Sequence, residues 1–386
     1  MTMQQQVIPG DFAPRLAATR RILRDRETDC AIIMGPEAQY WLCGLNSFLG
    51  ALIPQALILA ADGGAPVLVV WDADAALARQ TSILEDVRTF RFGVDEPAAL
   101  FVQVAQSVAP GLTRIGIDLS SRAVPFAFGN ALAQGLAGRD LVDITQDLAR
   151  LRAVKAPVEL ELMRIAGTYG LRGLEAARRH AQPGMTEIKL AAEVEYAMRL
   201  AGSDYCSIPT EMTSGPRSLF GHGTPVDRVL EPGDLVHLEI GGVERRYNCV
   251  AMQTLVVPGA GPKPAARDLY DVALRCLRAG LRQLRPGVPA AEVEGPALEI
   301  IRRAGLGDAF KMRFGYGVGI GYPPSWLEQL QITRTSTDVL DVGTTFVLHA
   351  CLLDERESIG VLIGGTYAIT DEGYELLSGA GDVELT

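Results

Sequence analysis

Hydrophobic and polar positions divide the chain into two stretches of different rhythm. In the first third, short apolar runs alternate with polar helical segments: a helix over residues 15–26, then a strand over 30–34 closed by Gly35-Pro36. Residues 55–60 and 67–71 read as two buried strands joined by the turn Asp62-Gly63-Gly64. Residues 141–144 lead into a basic segment, 150–155, which Pro157 ends. The domain boundary is placed there, giving residues 1–155 and 156–386.

Beyond it, Leu190, Val194, Ala197, Met198 and Ala201 recur at i, i+4, i+7, i+8 and i+11, an amphipathic helix stopped by Gly202. Leu269, Val272, Ala273, Cys276, Leu277, Leu281 and Leu284 predict a second helix. Val293, Ala297, Ile300, Ile301 and Ala304 predict a third, in which Pro296 implies a kink or a late start. Residues 234–242 alternate as a strand, with Val236, Leu238 and Ile240 on one face and Leu235, His237 and Glu239 on the other. Residues 247–257, 345–353 and 359–363 continue the strand pattern. Two helices and a strand pair, twice over, predict two α+β halves with antiparallel sheets.

With 386 residues, 48% of them hydrophobic, the chain can bury a substantial core. Its 36 basic and 46 acidic residues leave a net charge of −10, which argues against a general nucleic-acid binder. Residues 1–10 are polar and lack the apolar stretch of a secretory signal. The longest apolar runs are too short to span a bilayer. Six cysteines lie far apart with no C-x-x-C spacing, so free thiols in a reducing compartment are expected rather than disulfides or a zinc site. A cytoplasmic protein follows, with no membrane or nucleic-acid partner.

Candidate chemistry is sparse. His222 lies in the Gly-rich turn Gly221-His222-Gly223-Thr224-Pro225, where an imidazole has little packing to do. His180 sits where a helix should end, among Arg178 and Arg179, and suits the helix dipole. His237 and His349 occupy apolar strands and read first as core histidines. Glu239 interrupts a mostly apolar strand, where a carboxylate must be paired or functional. Glu357, in Asp354-Glu355-Arg356-Glu357, fits a solvated loop or a second site carboxylate.

Residues 225–254, preceded by His222, resemble the creatinase/aminopeptidase P/methionine aminopeptidase family. Tyr40-Trp41-Leu42-Cys43-Gly44, residues 151–159 and Gly315-Tyr316-Gly317-Val318-Gly319-Ile320 resemble further family segments in the right order. The resemblance implies a creatinase-like N-terminal α/β domain, a pita-bread C-terminal domain and a homodimer. Its metallopeptidases hold two metal ions with two Asp, one His and two Glu. At those positions this chain carries Glu239, Val250, Tyr316, His349 and Gly364. Valine and glycine side chains offer no donor, so a two-ion site is not expected and neither is any cofactor.

His222 falls where creatinase has its catalytic histidine. Tyr322-Pro323-Pro324-Ser325-Trp326, with Glu239-Ile240-Gly241-Gly242 and Arg246-Tyr247, looks most like the ectoine hydrolase branch. The expectation is therefore a metal-independent hydrolase that cleaves a C–N bond of a small amidine, guanidine or amide. Glu239 and Glu357 would clamp the cation and His222 would move the proton. Arg217 would hold a substrate carboxylate; Tyr247, Tyr316, His349 and Trp326 would line the site. Trp41 and Phe48 would cap a neighbouring subunit's site. The alternatives are a metal-dependent Xaa-Pro aminopeptidase or dipeptidase, and a non-catalytic binding protein on the same fold.

Overall fold

The computed structural model describes residues 11–379 and Leu385; the polar N-terminal stretch 1–10 lies outside the described residues. Two units separate, Met1–Arg152 and Ala153–Thr386. The first holds six strands, β1 (Cys30–Ile33), β2 (Ala56–Ala60), β3 (Gly63–Trp71), β4 (Val87–Phe90), β5 (Arg114–Ile117) and β6 (Asp140–Asp143). They form one mixed sheet in the order β4-β3-β2-β1-β5-β6. Its helices are α1 (Phe12–Asp25), α2 (Pro36–Cys43), α3 (Ala75–Thr81), α4 (Pro97–Val108), α5 (Phe126–Gly135) and α6 (Thr145–Ala153). The wholly apolar strand β1 pairs antiparallel with β2 and parallel with β5, so both its edges and both its faces are covered.

The second unit begins with α7 (Pro157–His180) and α8 (Glu187–Ala201). Helix α8 starts at Thr186, whose hydroxyl caps the Lys189 N–H, and stops at Gly202 with φ +116°, a conformation glycine adopts without strain. Strands β7 (Glu211–Ser214), β8 (Leu235–Glu244) and β9 (Tyr247–Val256) follow, then α9 (Pro264–Leu281), the short β10 (Val288–Pro289) and α10 (Ala290–Arg303). The chain ends in β11 (Gly315–Tyr322), β12 (Ser325–Ile332), the short β13 (Val339–Leu340), β14 (Thr345–Asp354), β15 (Ile359–Thr370) and β16 (Gly373–Gly379). Pro296 neither delays nor divides α10, which runs through it at the loss of one backbone donor.

The two expected antiparallel sheets are one. Strands run in the order β12-β11-β14-β15-β9-β8-β7, with β16 also paired to β15. The join is made where Gly364 and Gly365 of β15 pair with Met252 and Ala251 of β9. Apolar side chains of α9 and α10 pack with β14 and β15 in one core cluster, and those of α7 and α8 pack with β8 and β9 in another. No helix among the described residues is long and apolar enough to cross a membrane. All six cysteines are free thiols.

Candidate active site

Register places the site. Across five neighbouring strands, Glu211 (β7) stands opposite Glu239 (β8), Glu239 opposite Met252 (β9), Met252 opposite Gly364 (β15), and Gly364 opposite His349 (β14). A cavity of about 500 Å³ opens over this part of the sheet; Glu211, Glu239, His222, His349, Tyr316, Arg313 and Trp326 are among its lining residues.

A hydrogen-bonded chain sets the Glu239 carboxyl. The Tyr316 hydroxyl donates to Glu239 Oε1 at 2.6 Å, and the indole Nε1 of Trp326 donates to the Tyr316 oxygen at 3.2 Å. The indole lies against Gly241, where an added Cβ would come within 2.8 Å of the ring. That close approach is why the strand after Glu239 carries glycine there. Burial raises Glu239 to about 7, against the Tyr316 hydrogen bond and the Arg313 charge, which pull it down. Glu211 is raised further, to about 8, by burial and then by the charge of Glu239. Glu211 Oε2 is buried without a hydrogen-bond partner. Two such carboxyls side by side titrate as a pair and hold a proton at neutral pH.

His349 is kept neutral: burial, the Arg313 charge and His222 lower it to about 3. Its Nδ1 is buried without a hydrogen-bond partner, and its ring lies 5.9 Å from that of Tyr316. His222 is exposed where it lines the cavity. Arg313 gives Gln331 Oε1 one hydrogen bond of 3.0 Å and lies 4.9 Å over the Tyr316 ring.

Of the residues expected from sequence, Glu239, His222, Tyr316, Trp326 and His349 are brought together. Arg217 is not a free anchor. Its guanidinium pairs with the fully buried Glu187 and donates to the Thr224 carbonyl, so it braces a loop. Tyr247 is buried and gives its hydroxyl to Glu159, and Glu357 is an exposed residue of the turn between β14 and β15. In the N-terminal unit Trp41 is core, 6% exposed, with the Arg15 guanidinium 5.3 Å over its ring. Phe48 presents its ring at the surface. His237 is a satisfied core histidine, bonded to Thr213 Oγ1 at 2.7 Å. Sequence reading passed over Glu211 and Arg313. Their short segments carry no periodicity, and only the pairing of β7 with β8 gives Glu211 its significance.

The profile of the Creatinase/Prolidase N-terminal domain matches residues 15–154, and that of Metallopeptidase family M24 matches residues 161–371. The chain belongs to metallopeptidase family M24. An Xaa-Pro dipeptidase of Pyrococcus furiosus is 25% identical over 364 residues, 94% of this chain and 97% of that protein. Among solved structures, Dipeptidase PepE from Mycobacterium ulcerans is 26% identical with a TM-score of 0.84, covering 99% of this chain and 98% of that one. The prolidase from Pyrococcus horikoshii OT3 superposes with a TM-score of 0.83 at 22% identity, over 95% and 98% of the two chains.

The expected fold stands, as does a hydrolase of this family: a creatinase-type N-terminal domain precedes a pita-bread domain. The finer expectation falls. Two Pyrococcus relatives carry the name Xaa-Pro dipeptidase, which overturns the ectoine hydrolase-like, metal-independent hydrolase of amidines and guanidines. Of the short motifs that had suggested that branch, Trp326 packs against Gly241.

The family name implies metal ions, and this donor set does not fit a two-ion site. Val250 and Met252 are buried apolar side chains. At Gly364 an added Cβ would meet the Leu348 carbonyl oxygen at 2.5 Å and the His349 Cβ at 2.6 Å. Among the described residues no group of three or more His, Cys, Asp or Glu is placed to hold a metal ion.

Proposed function

We propose that this M24 hydrolase cleaves the peptide bond of a small Xaa-Pro-type dipeptide in the cavity over β7 and β8. The names of its relatives supply the substrate class. The observation that carries the reading is the carboxyl pair Glu211–Glu239, one proton between them, in a cavity large enough for a dipeptide.

The ionised Glu239 takes a proton from water as the water oxygen bonds to the scissile carbonyl carbon. Tyr316, by occupying Oε1, leaves Oε2 for that proton. The raised Glu211 carboxylic acid delivers its own proton to the departing nitrogen, and the C–N bond breaks. Passage of the proton from Glu239 to Glu211 restores the pair. His349, held neutral, adds a hydrogen-bonding group without a competing positive charge.

The test is release of proline from a panel of Xaa-Pro dipeptides, read by mass spectrometry, after EDTA dialysis and again with added Mn²⁺ or Zn²⁺. Proline release by the wild type that Glu239→Gln abolishes is the expected result. No release in any condition overturns the reading.

A further inference from the structure

His222 stands on the loop of residues 215–225, which leaves β7 at Ser214, and both ends of that loop rest on one side chain away from the cavity lining. Glu187 opens α8 and is fully buried. At the loop's entry its Oε1 accepts from the Ser214 N–H at 2.8 Å and from the Ser214 hydroxyl at 2.6 Å. At the exit its Oε2 accepts from the Val226 N–H at 3.0 Å, and the Arg217 guanidinium donates to the same oxygen. Arg217 reaches on to the Thr224 carbonyl, two residues beyond His222, at 2.9 Å. The first turn of α8 adds two main-chain bonds, from the Glu187 N–H to the Arg228 carbonyl and from the Ile188 N–H to the Val226 carbonyl.

The middle of the loop lies on β7. The Met212 N–H donates to the Gly223 carbonyl at 2.9 Å, and a Cβ added at Gly223 would run into the Thr213 methyl. Glycine on either side of His222 permits that close approach while the imidazole lines the cavity. Among the described residues no hydrogen bond holds the imidazole itself, so the loop backbone sets its place. Fixing both ends of a loop removes most of the conformations open to it. Here four donors from entry and exit converge on the two oxygens of one carboxylate.

We propose that Glu187 is a positioning residue, the clasp that closes the 215–225 loop and thereby holds His222 at the cavity. That this placement serves catalysis rests on the peptide-hydrolase reading above.

The experiment follows the imidazoles in protein labelled with 15N-histidine. There are four, and His222→Gln identifies the relevant one. Wild type is compared with Glu187→Gln, Arg217→Ala and Val194→Ala at temperatures where thermal melts show each to be folded. An amide at position 187 offers one acceptor and one NH₂ group, so one end of the loop meets a donor in place of an acceptor. Val194, in the core face of the same helix, controls for loosened packing. Glu187→Gln should shift or broaden the His222 resonance, Arg217→Ala should do so less, and Val194→Ala should leave it in place. For alanyl-proline, kcat should fall about 10- to 100-fold in Glu187→Gln. An unchanged His222 resonance in Glu187→Gln, an equal change in Val194→Ala, or a moved resonance with kcat unchanged overturns the proposal. If wild type releases no proline while the resonance still follows Glu187, the clasp stands and the hydrolytic reading falls.

Discussion

Glu211 and Glu239 face each other across the β7–β8 pairing, two carboxyl groups on adjacent strands at the lining of one cavity. Like charges so placed cannot both ionise cheaply, and burial adds to the cost. In the proposed reaction one of them would serve as proton donor and the other as base.

Replacing either member should uncouple the pair. Glu239→Gln keeps an acceptor for the Tyr316 hydroxyl but removes the base, so kcat should fall by about 10²- to 10⁴-fold with the fold intact. Glu211→Gln should remove the acid with a loss of similar size. Steady-state kinetics alongside circular dichroism check both.

The pair also makes stability depend on pH. Glu211 titrates near 8 in the folded state, above the ordinary carboxylate value of about 4.3. Between those values the folded chain holds a proton that the unfolded chain has released. Its contribution is therefore complete below the ordinary range and is lost as pH rises towards 8. The buried Asp118, raised to about 7 by burial, acts in the same direction, so the informative quantity is a difference. From pH 5 to 8 the thermal midpoint of wild type should fall more steeply than that of Glu211→Gln.

Tyr316 acts on the proposed base. Its hydrogen bond lowers Glu239 against the upward push of burial. Tyr316→Phe should move the acid limb of the pH–rate profile upwards by less than about one pH unit. It should also cost about 1 kcal/mol of stability, because the Trp326 indole loses its acceptor. A limb that stays in place, or moves down, would count against Glu239 as the base.

Arg217 should behave as a structural residue. Arg217→Ala leaves the fully buried Glu187 without its guanidinium partner, although Ser214 and the Val226 N–H still donate to that carboxylate. The expected loss is about 3 kcal/mol in chemical denaturation, with KM unchanged at temperatures where the variant is folded. A raised KM at unchanged stability would instead mark a substrate anchor.

Gly364 should resist substitution. Gly364→Ala would press a methyl group against the Leu348 carbonyl and His349, costing about 1–3 kcal/mol by denaturation. A carboxylate placed at this family position would carry at least that cost.

Much of this molecule was legible in its sequence. Periodicity located helices α8 and α9, because their apolar stripes face a core and their polar faces meet water. Glu239 stood out because a carboxylate inside an apolar strand needs a reason to be there, and His222 because an imidazole in a Gly-rich turn has little packing to do. The Gly-rich strand β11 and the four-residue β7 offered no such rhythm. Glu211 on β7 and Arg313 just before β11 went unremarked, while Arg217 drew attention that its pairing with the distant Glu187 does not sustain.

Local pattern determined which segments are helix or strand and which single residues are out of place, since those follow from the neighbours a few positions away along the chain. The joining of two expected sheets into one, the standing of Glu211 opposite Glu239 and the pairing of Arg217 with Glu187 all depend on strand register and on contacts between residues far apart in sequence. Only the folded chain supplies those, because burial and proximity, which set the charge a carboxyl will carry, do not exist until the strands have paired.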